Sequence, residues 1–337
     1  MTRPLRSLGF LTIGLFDRDD PRAGHETTLS IIERGESLGF DSAWLRDRHL
    51  QYGISSPVAV LAAATQRTSR IRLGTAVIPL GWENPLRLAE DLATVDVLSG
   101  GRLEPGFSVG PPRRLDEVAP ALYPDTADRE DFGYERLVRL RRFLAGEQAS
   151  PFAGTEGIEE YSERVEPHAA GLADRLWYGA GSPGSTTWAA ENGFHLLTSS
   201  VIQAVEPTDF DAEQYAQIRR YRDAHRDGEA ARVSQGLVVV PTDSATPEQR
   251  RRYEAYADSR RGRVGIPQGP RGMLFAEDLV GTSEQIAEQL LSSRAFPEVD
   301  EVAFALPFDF EPDDYVQILE DIAGRLGPLL GWAPAAP

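Results

Sequence analysis

Along nearly all of its 337 residues the chain alternates apolar, strand-like runs with segments of helical spacing, and this alternation narrows the fold more than any single motif. Leu8 to Phe16 (LGFLTIGLF) is an apolar run suited to a strand buried on both faces, and His25 to Leu38 carries Leu29, Ile32 and Leu38 at helical spacing before Gly39. Ser42 to Leu45 predicts a second strand, followed by the charged loop Arg46-Asp47-Arg48-His49 and an alanine-rich helix from Pro57 to Thr68. Ile71 to Leu80 predicts a third strand; its helix runs from Pro85 to Leu98 and stops at Ser99-Gly100-Gly101. Arg102 to Val109 reads as a fourth strand, weakened by Pro105 and Gly106, and Tyr134 to Leu144 as the helix after it.

The second half keeps the pattern. Leu176 to Tyr178 is a short strand that enters the turn Gly179-Ala180-Gly181, where hydroxyls from Ser182 to Thr187 offer caps for a helix ending at Gly193. Unpaired N–H groups at such a helix start make it a ready phosphate site, although the same residues also build an ordinary capped turn. Phe194 to Thr198 reads as a short added strand, Glu213 to His225 as a helix and Gln235 to Val240 as the next strand. Residues 241–278, rich in Arg and Gly, suggest a helix followed by a mobile lid. Leu279 to Thr282 with helix Ser283 to Leu291, then Val299 to Leu306 with helix Asp313 to Leu326, close the chain. Roughly eight βα units without an internal repeat favour an α/β fold, a closed (β/α)8 barrel. It is expected as one domain over 1–337, with insertions at about 146–174 and 241–278. Chemistry then belongs at the strand C-terminal ends, which gathers Asp17, Asp47, His49, Pro79 to Asn84, Ser108 to Gly110, Gly179 to Ser185, Pro241 and Phe308 to Asp309 around one mouth.

Composition removes several classes of function. With 35 Lys and Arg against 52 Asp and Glu, a formal charge of −17 disfavours nonspecific nucleic-acid binding, which needs a basic footprint. The absence of Cys excludes disulfides, thiolate metal sites and cysteine nucleophiles, and the five His form no close ligand pair, so no metal is expected. No run reaches the length of a membrane span, and MTRPLRSLGFLTIGLF reads as a first strand rather than a signal peptide, so a cytoplasmic enzyme is the expectation.

Four stretches carry a family resemblance. Arg70 to Arg102 (RIRLGTAVIPLGWENPLRLAEDLATVDVLSGGR) and Ala43 to His49 (AWLRDRH) resemble the luciferase-like flavin-dependent monooxygenases. Gly181 to Gly193 (GSPGSTTWAAENG) is similar to the flavin-phosphate loop of the bacterial luciferase alpha chain, and Leu279 to Leu290 (LVGTSEQIAEQL) to the family's last-quarter helix. The resemblance implies a TIM barrel that holds FMN, or in one branch the deazaflavin F420, at its strand C-termini. It further implies a separate flavin reductase supplying FMNH2, a small-molecule substrate oxygenated with O2, and a homodimer. The cofactor would supply the hard chemistry, and the protein placement, water exclusion and electrostatics.

Carried over residue by residue, the resemblance implies cofactor contacts from Thr75, Ala76, Val77, Ser108, Gly179, Gly181, Ser182 and Ser185, with a non-prolyl cis peptide at Ala76-Val77 beside the flavin ring. It departs at Gly181, where luciferase has a glutamate, and at Val109, where the family places a phosphate-contacting arginine. That leaves Arg113, Arg114 or the arginine-rich loop as substitutes. Asp47, Arg48 and His49 fall on the family's catalytic Glu-His-His triplet. Arg48, which cannot act as a base at neutral pH, thus occupies the histidine position. Either His49 takes over proton traffic or Arg48 stabilises negative charge on the reduced flavin. Competing readings are an F420-dependent hydride-transfer oxidoreductase and a flavin-binding barrel without catalysis. Blander readings make 47–49 a solvated ion-paired loop, Trp44 and Trp188 core, and the 250–263 arginines a solvated helix face. Asp309, Glu311, Asp313 and Asp314 read better as the start of the last helix than as paired glycosidase carboxylates.

Overall fold

The computed structural model describes residues 5–204, 209–299 and 301–334. Ten strands form one sheet in the order Ile78–Pro79, Gly106–Ser108, Trp177–Gly179, His195–Thr198, Val233–Gln235, Glu301–Ala305, Ser7–Thr12, Ser42–Leu45, Arg72–Thr75 and Leu103–Glu104. Every pairing between neighbours in it is parallel. Parallel neighbours require crossover connections, and the helices Pro21–Ser37, Pro57–Thr65, Pro85–Ser99, Tyr134–Leu144, Pro183–Glu191 and Phe210–Ala224 supply them. The sheet curls until both of its ends come from the same two stretches of chain: Arg72–Thr75 pairs Leu103–Glu104, while Ile78–Pro79 pairs Gly106–Ser108.

Local sequence explains where elements start. Asn84, Ser182, Thr246 and Thr282 each cap a helix by accepting hydrogen bonds from backbone N–H groups of its first turn, and Pro85, Pro183 and Pro247 occupy the position where a missing N–H costs nothing. The expected strands prove shorter. The first ends at Thr12, because Gly14 turns the chain at φ +62°. The third divides around Ala76-Val77, whose peptide is cis, and the fourth divides around Pro105, which has no N–H for the ladder. His195–Thr198 is not an added strand: it lies between Trp177–Gly179 and Val233–Gln235 in the main sheet. Val239–Pro241 leaves that sheet and pairs with Leu279–Gly281.

The two insertions differ in kind. Residues 146–174 hold an exposed hairpin, Gly154–Glu156 with Glu159–Tyr161. The other supplies the helix Pro247–Arg261 and then the strand Met273–Phe275, which pairs antiparallel with Val201–Gln203 above the strand C-terminal ends. Of its arginines, Arg252 pairs with Asp314, Arg260 with Asp278 and Arg261 with Asp258.

Inside the curl, Trp44, Trp177, Leu197 and Ala303 form a cluster joined by Leu11, Ala76 and Val77, with Trp44 edge-on to Trp177 at 5.5 Å. Gly74 is required beside it, since a Cβ there would lie 2.3 Å from the Trp44 ring. Below this layer, at the strand N-terminal ends, Arg72 and Arg232 share the buried Glu104 at 2.9 and 3.1 Å. Arg232 also pairs with Glu301 at 2.7 Å, and Arg72 donates to Ser7. Buried charge is tolerated there because each ion meets its opposite.

Candidate active site

Above the aromatic layer, at the strand C-terminal ends, lies a cavity of about 570 Å3. Its apolar wall comes from Leu11, Val77, Leu197, Phe275 and Ala303, and its polar rim from Arg46, Asp47, Arg48, Thr198, Ser199 and Ser200. The Gly179-Ala180-Gly181 backbone forms one side. A Cβ on Gly179 would lie 2.8 Å from Val77, so glycine lets the chain approach the cis peptide closely. That turn is held from behind by buried amides: Gln217 donates to the Ala180 carbonyl at 2.7 Å and accepts from Thr198 at 2.6 Å, while Gln235 donates to Gln214 at 2.6 Å.

Of the expected cofactor contacts, Ala76, Val77, Gly179 and Gly181 line this cavity. Ser182 lies in an adjoining cleft with Gly181, Gln203 and Arg220. Its hydroxyl accepts from the Ser185 N–H at 3.3 Å, and Ser185 returns a bond to the Ser182 N–H at 3.1 Å, closing a capping box. Thr75 is fully buried and bridges strands through Gly106, donating to its carbonyl and accepting from its N–H, both at 2.9 Å. Ser108 pairs with Pro79 in the sheet and is not on the cavity wall, and neither are Asp17, Pro241 and Phe308.

Arg46, Asp47 and Arg48 follow directly on the strand Ser42–Leu45 and reach the cavity, whereas His49 sits behind them, its ring stacked on Trp82 at 4.3 Å. His49 Nε2 is 3.3 Å from Asp47 Oδ2 but out of line for a hydrogen bond, and neither Asp47 oxygen has another partner. Glu83 completes a group of three whose ligand atoms all lie within 4.8 Å, close enough to share a cation or a proton. Burial, and then repulsion from Asp47, raises the Glu83 carboxyl from its ordinary value. Sequence reasoning gave no role to Glu83 or Arg46. Burial first, and Arg48 second, pull the Arg46 guanidinium down to about 10. Arg48 is lowered by burial and by Arg113.

A cavity bounded by glycine backbone, with a capped helix N-terminus in the adjoining cleft, accompanies sequence similarity to known proteins. The family model described as luciferase-like monooxygenase matches residues 8–296. Limonene 1,2-monooxygenase of Rhodococcus erythropolis is 37% identical over 134 residues, covering 39% of this chain and 33% of that protein. The F420-dependent glucose-6-phosphate dehydrogenase of Kineococcus radiotolerans is 31% identical over 183 residues, half of each chain. The matches thus span one third to one half of these two relatives' length. Among solved structures, the monooxygenase RslO1 from Streptomyces bottropensis superposes with a TM-score of 0.71 at 20% identity, covering 96% of this chain and 99% of that one. The oxygenating constituent of 3,6-diketocamphane monooxygenase from the CAM plasmid of Pseudomonas putida, solved with FMN, gives a TM-score of 0.64 at 15% identity, covering 97% and 99%. The fold is therefore shared across proteins with TIM-barrel-like architecture. Since the family model takes in most of the strands and helices that build this cavity, the chain belongs to the luciferase-like monooxygenase family.

Proposed function

We propose that the chain is a flavin-dependent monooxygenase that uses reduced FMN and O2 to oxygenate a small organic molecule. The observation that carries the reading is the cavity at the strand C-terminal ends, with the Gly179–Gly181 backbone on its wall and the Ser182-capped helix beside it. Residues 72–79 and 103–108 each count as one staggered strand. The parallel pairings then support a (β/α)8 barrel, taken as a single domain over 1–337 with insertions at about 146–174 and 241–278. FMN is supplied reduced by a separate flavin reductase, and the working form is a homodimer.

The residues present suit the cofactor. Ala76, Val77, Gly179 and Gly181 provide a flat wall for its ring, with Thr75 and Ser108 supporting the strands beneath. Ser182, Ser185 and the helix N-terminus provide donors for its phosphate. When bound, reduced flavin supplies the electrons that activate O2. Asp47, Arg48 and His49 form the catalytic set: Arg48 places positive charge at the cavity, and His49, whose Nε2 lies 3.3 Å from Asp47 Oδ2, takes over proton traffic. Phe275 and Val201 help to exclude water from above. Titration with FMN, FMNH2 and F420, followed by O2 uptake with a substrate panel, tests the reading. Tight FMNH2 binding and substrate-dependent O2 uptake are expected. Preference for F420 without O2 uptake would instead establish hydride transfer, the activity class of the F420-dependent relative. Flavin binding with no turnover of any substrate would leave a binding barrel.

A further inference from the structure

Away from the cavity, most buried and half-buried arginines have a carboxylate or a backbone carbonyl to meet. Arg72, Arg136, Arg175, Arg222, Arg232 and Arg260, all wholly or partly buried, each meet a carboxylate within ion-pair distance. Arg46 and Arg48 line the cavity with no hydrogen bond or ion pair from their side chains among the described residues, in a chain with 52 Asp and Glu to choose from. Their charged neighbours are each other and Arg113, so the local charge is uncompensated and partly desolvated. Asp47 stands between them in sequence, but its side chain faces His49 and Glu83. Two unpaired cations in a half-buried wall are unfavourable unless an anion completes them. A guanidinium pair is suited to the paired oxygens of a carboxylate or sulfonate. Next to this charge, the wall is apolar at Leu11, Val77, Leu197, Phe275 and Ala303.

We propose that Arg46 and Arg48 form a clamp for the anionic head of the substrate, so that the enzyme takes small organic acids, carboxylates or sulfonates, with an apolar body lying along the cavity wall. This assignment of substrate class rests on the oxygenase reading above. The head group is bound through N–H donors of both guanidiniums, and the apolar body contacts Val77, Leu197 and Phe275. Long-range charge opposes entry, because the protein as a whole is strongly acidic, so selectivity comes from contact at the clamp rather than from steering.

The test uses sodium hexanoate, hexane-1-sulfonate and neutral hexanamide, titrated into the full-length protein by calorimetry without flavin and by flavin absorbance changes with FMN bound. Wild type is expected to bind both anions at least about tenfold more tightly than hexanamide, the ratio expected for hydrogen bonds to a charged group. Arg46→Met and Arg48→Met are each expected to remove most of that preference while leaving hexanamide affinity unchanged. Equal affinity of wild type for hexanoate and hexanamide overturns the proposal, whatever the variants do. Should a variant fail to fold, the wild-type preference and its erosion with rising ionic strength still decide the question. The midpoint potential of bound FMN is the separating measurement. If Arg46→Met lowers that potential but leaves hexanoate affinity intact, the anion at the clamp is the reduced flavin and the substrate assignment falls. If FMN does not bind but the flavin-free protein keeps its anion preference, the oxygenase reading fails and the clamp stands.

Discussion

The two ends of the curled sheet use the same kinds of side chain to opposite effect. At the strand N-terminal ends, Arg72 and Arg232 converge on Glu104 and Glu301 at ion-pair distances of 2.7–3.5 Å, and Arg232 also lies 4.7 Å over the Trp177 ring. At the strand C-terminal ends, Arg46 and Arg48 meet no acid among the described residues, and Asp47 has two oxygens without a hydrogen bond among them. A closed set of charges stabilises a fold, whereas an open set marks a place where something else completes it. Ionic side chains thus report function by what they lack rather than by what they are.

The largest expected effect breaks the closed set. Glu104→Ala leaves Arg72 and Arg232 to share Glu301 alone under the aromatic layer, and is expected to cost about 3 kcal/mol in urea unfolding. A loss under about 1 kcal/mol would remove the distinction between the two ends.

Next comes pH, where the ends carry opposite signs. His195, beside Arg232 and Trp177, is held down to about 4 by burial first and by Arg232 second. Between that value and its ordinary 6.5 the unfolded chain takes a proton that the folded one refuses. Stability therefore falls as pH drops through this window, by about 2 kcal/mol between pH 7 and 5. His195→Gln is expected to flatten this acid limb in thermal melts. Glu83, raised by burial and by Asp47, acts the other way: its contribution is present at low pH and lost as pH rises past the usual carboxylate range. Glu83→Gln, which imitates the protonated form, is expected to gain stability relative to wild type at pH 7 and to match it at low pH. Parallel pH profiles for both variants and wild type would show that neither group titrates with folding.

A smaller effect is expected at Ser182. Its hydroxyl caps the helix Pro183–Glu191, so Ser182→Ala is expected to lower stability by about 1 kcal/mol. It should also weaken FMN by about 1 to 2 kcal/mol while weakening riboflavin less. Equal losses for the two flavins would take the phosphate away from this helix. The smallest stability change belongs to the open set. Arg46→Met is expected to leave unfolding unchanged or to stabilise by up to about 1 kcal/mol, because it removes an uncompensated charge. Marked destabilisation would mean that the structure does pair Arg46 after all.

Much of the fold was legible because its signals are local. The helix from Pro85, the turn at Gly179-Ala180-Gly181 and the stop at Gly193, which sits at φ +68°, follow from capping residues and glycine geometry read within a few positions. The same local reading misplaced Phe194 to Thr198, since nothing in those five residues tells an edge strand from a central one; only the pairings to Trp177–Gly179 and Val233–Gln235 do. Of the positions that the family motifs implied, Ala76, Val77, Gly179 and Gly181 line one cavity. Thr75 entered the expected cofactor contacts through the family resemblance, and its hydroxyl is bonded to Gly106, 31 positions away, a link no local pattern announces.

The sequence by itself determined the alternation of strands and helices, their caps and the membership of the family, because periodicity, turn chemistry and motif order are properties of neighbouring residues. It showed Arg46, Arg72 and Arg232 as three equivalent cations. Only the tertiary structure separated them: it brought Glu104 to Arg232 across 128 positions and, among the described residues, brought no acid to Arg46. The reason is physical, since the energy of a charge depends on burial and on partners within a few ångströms, and long-range folding decides both.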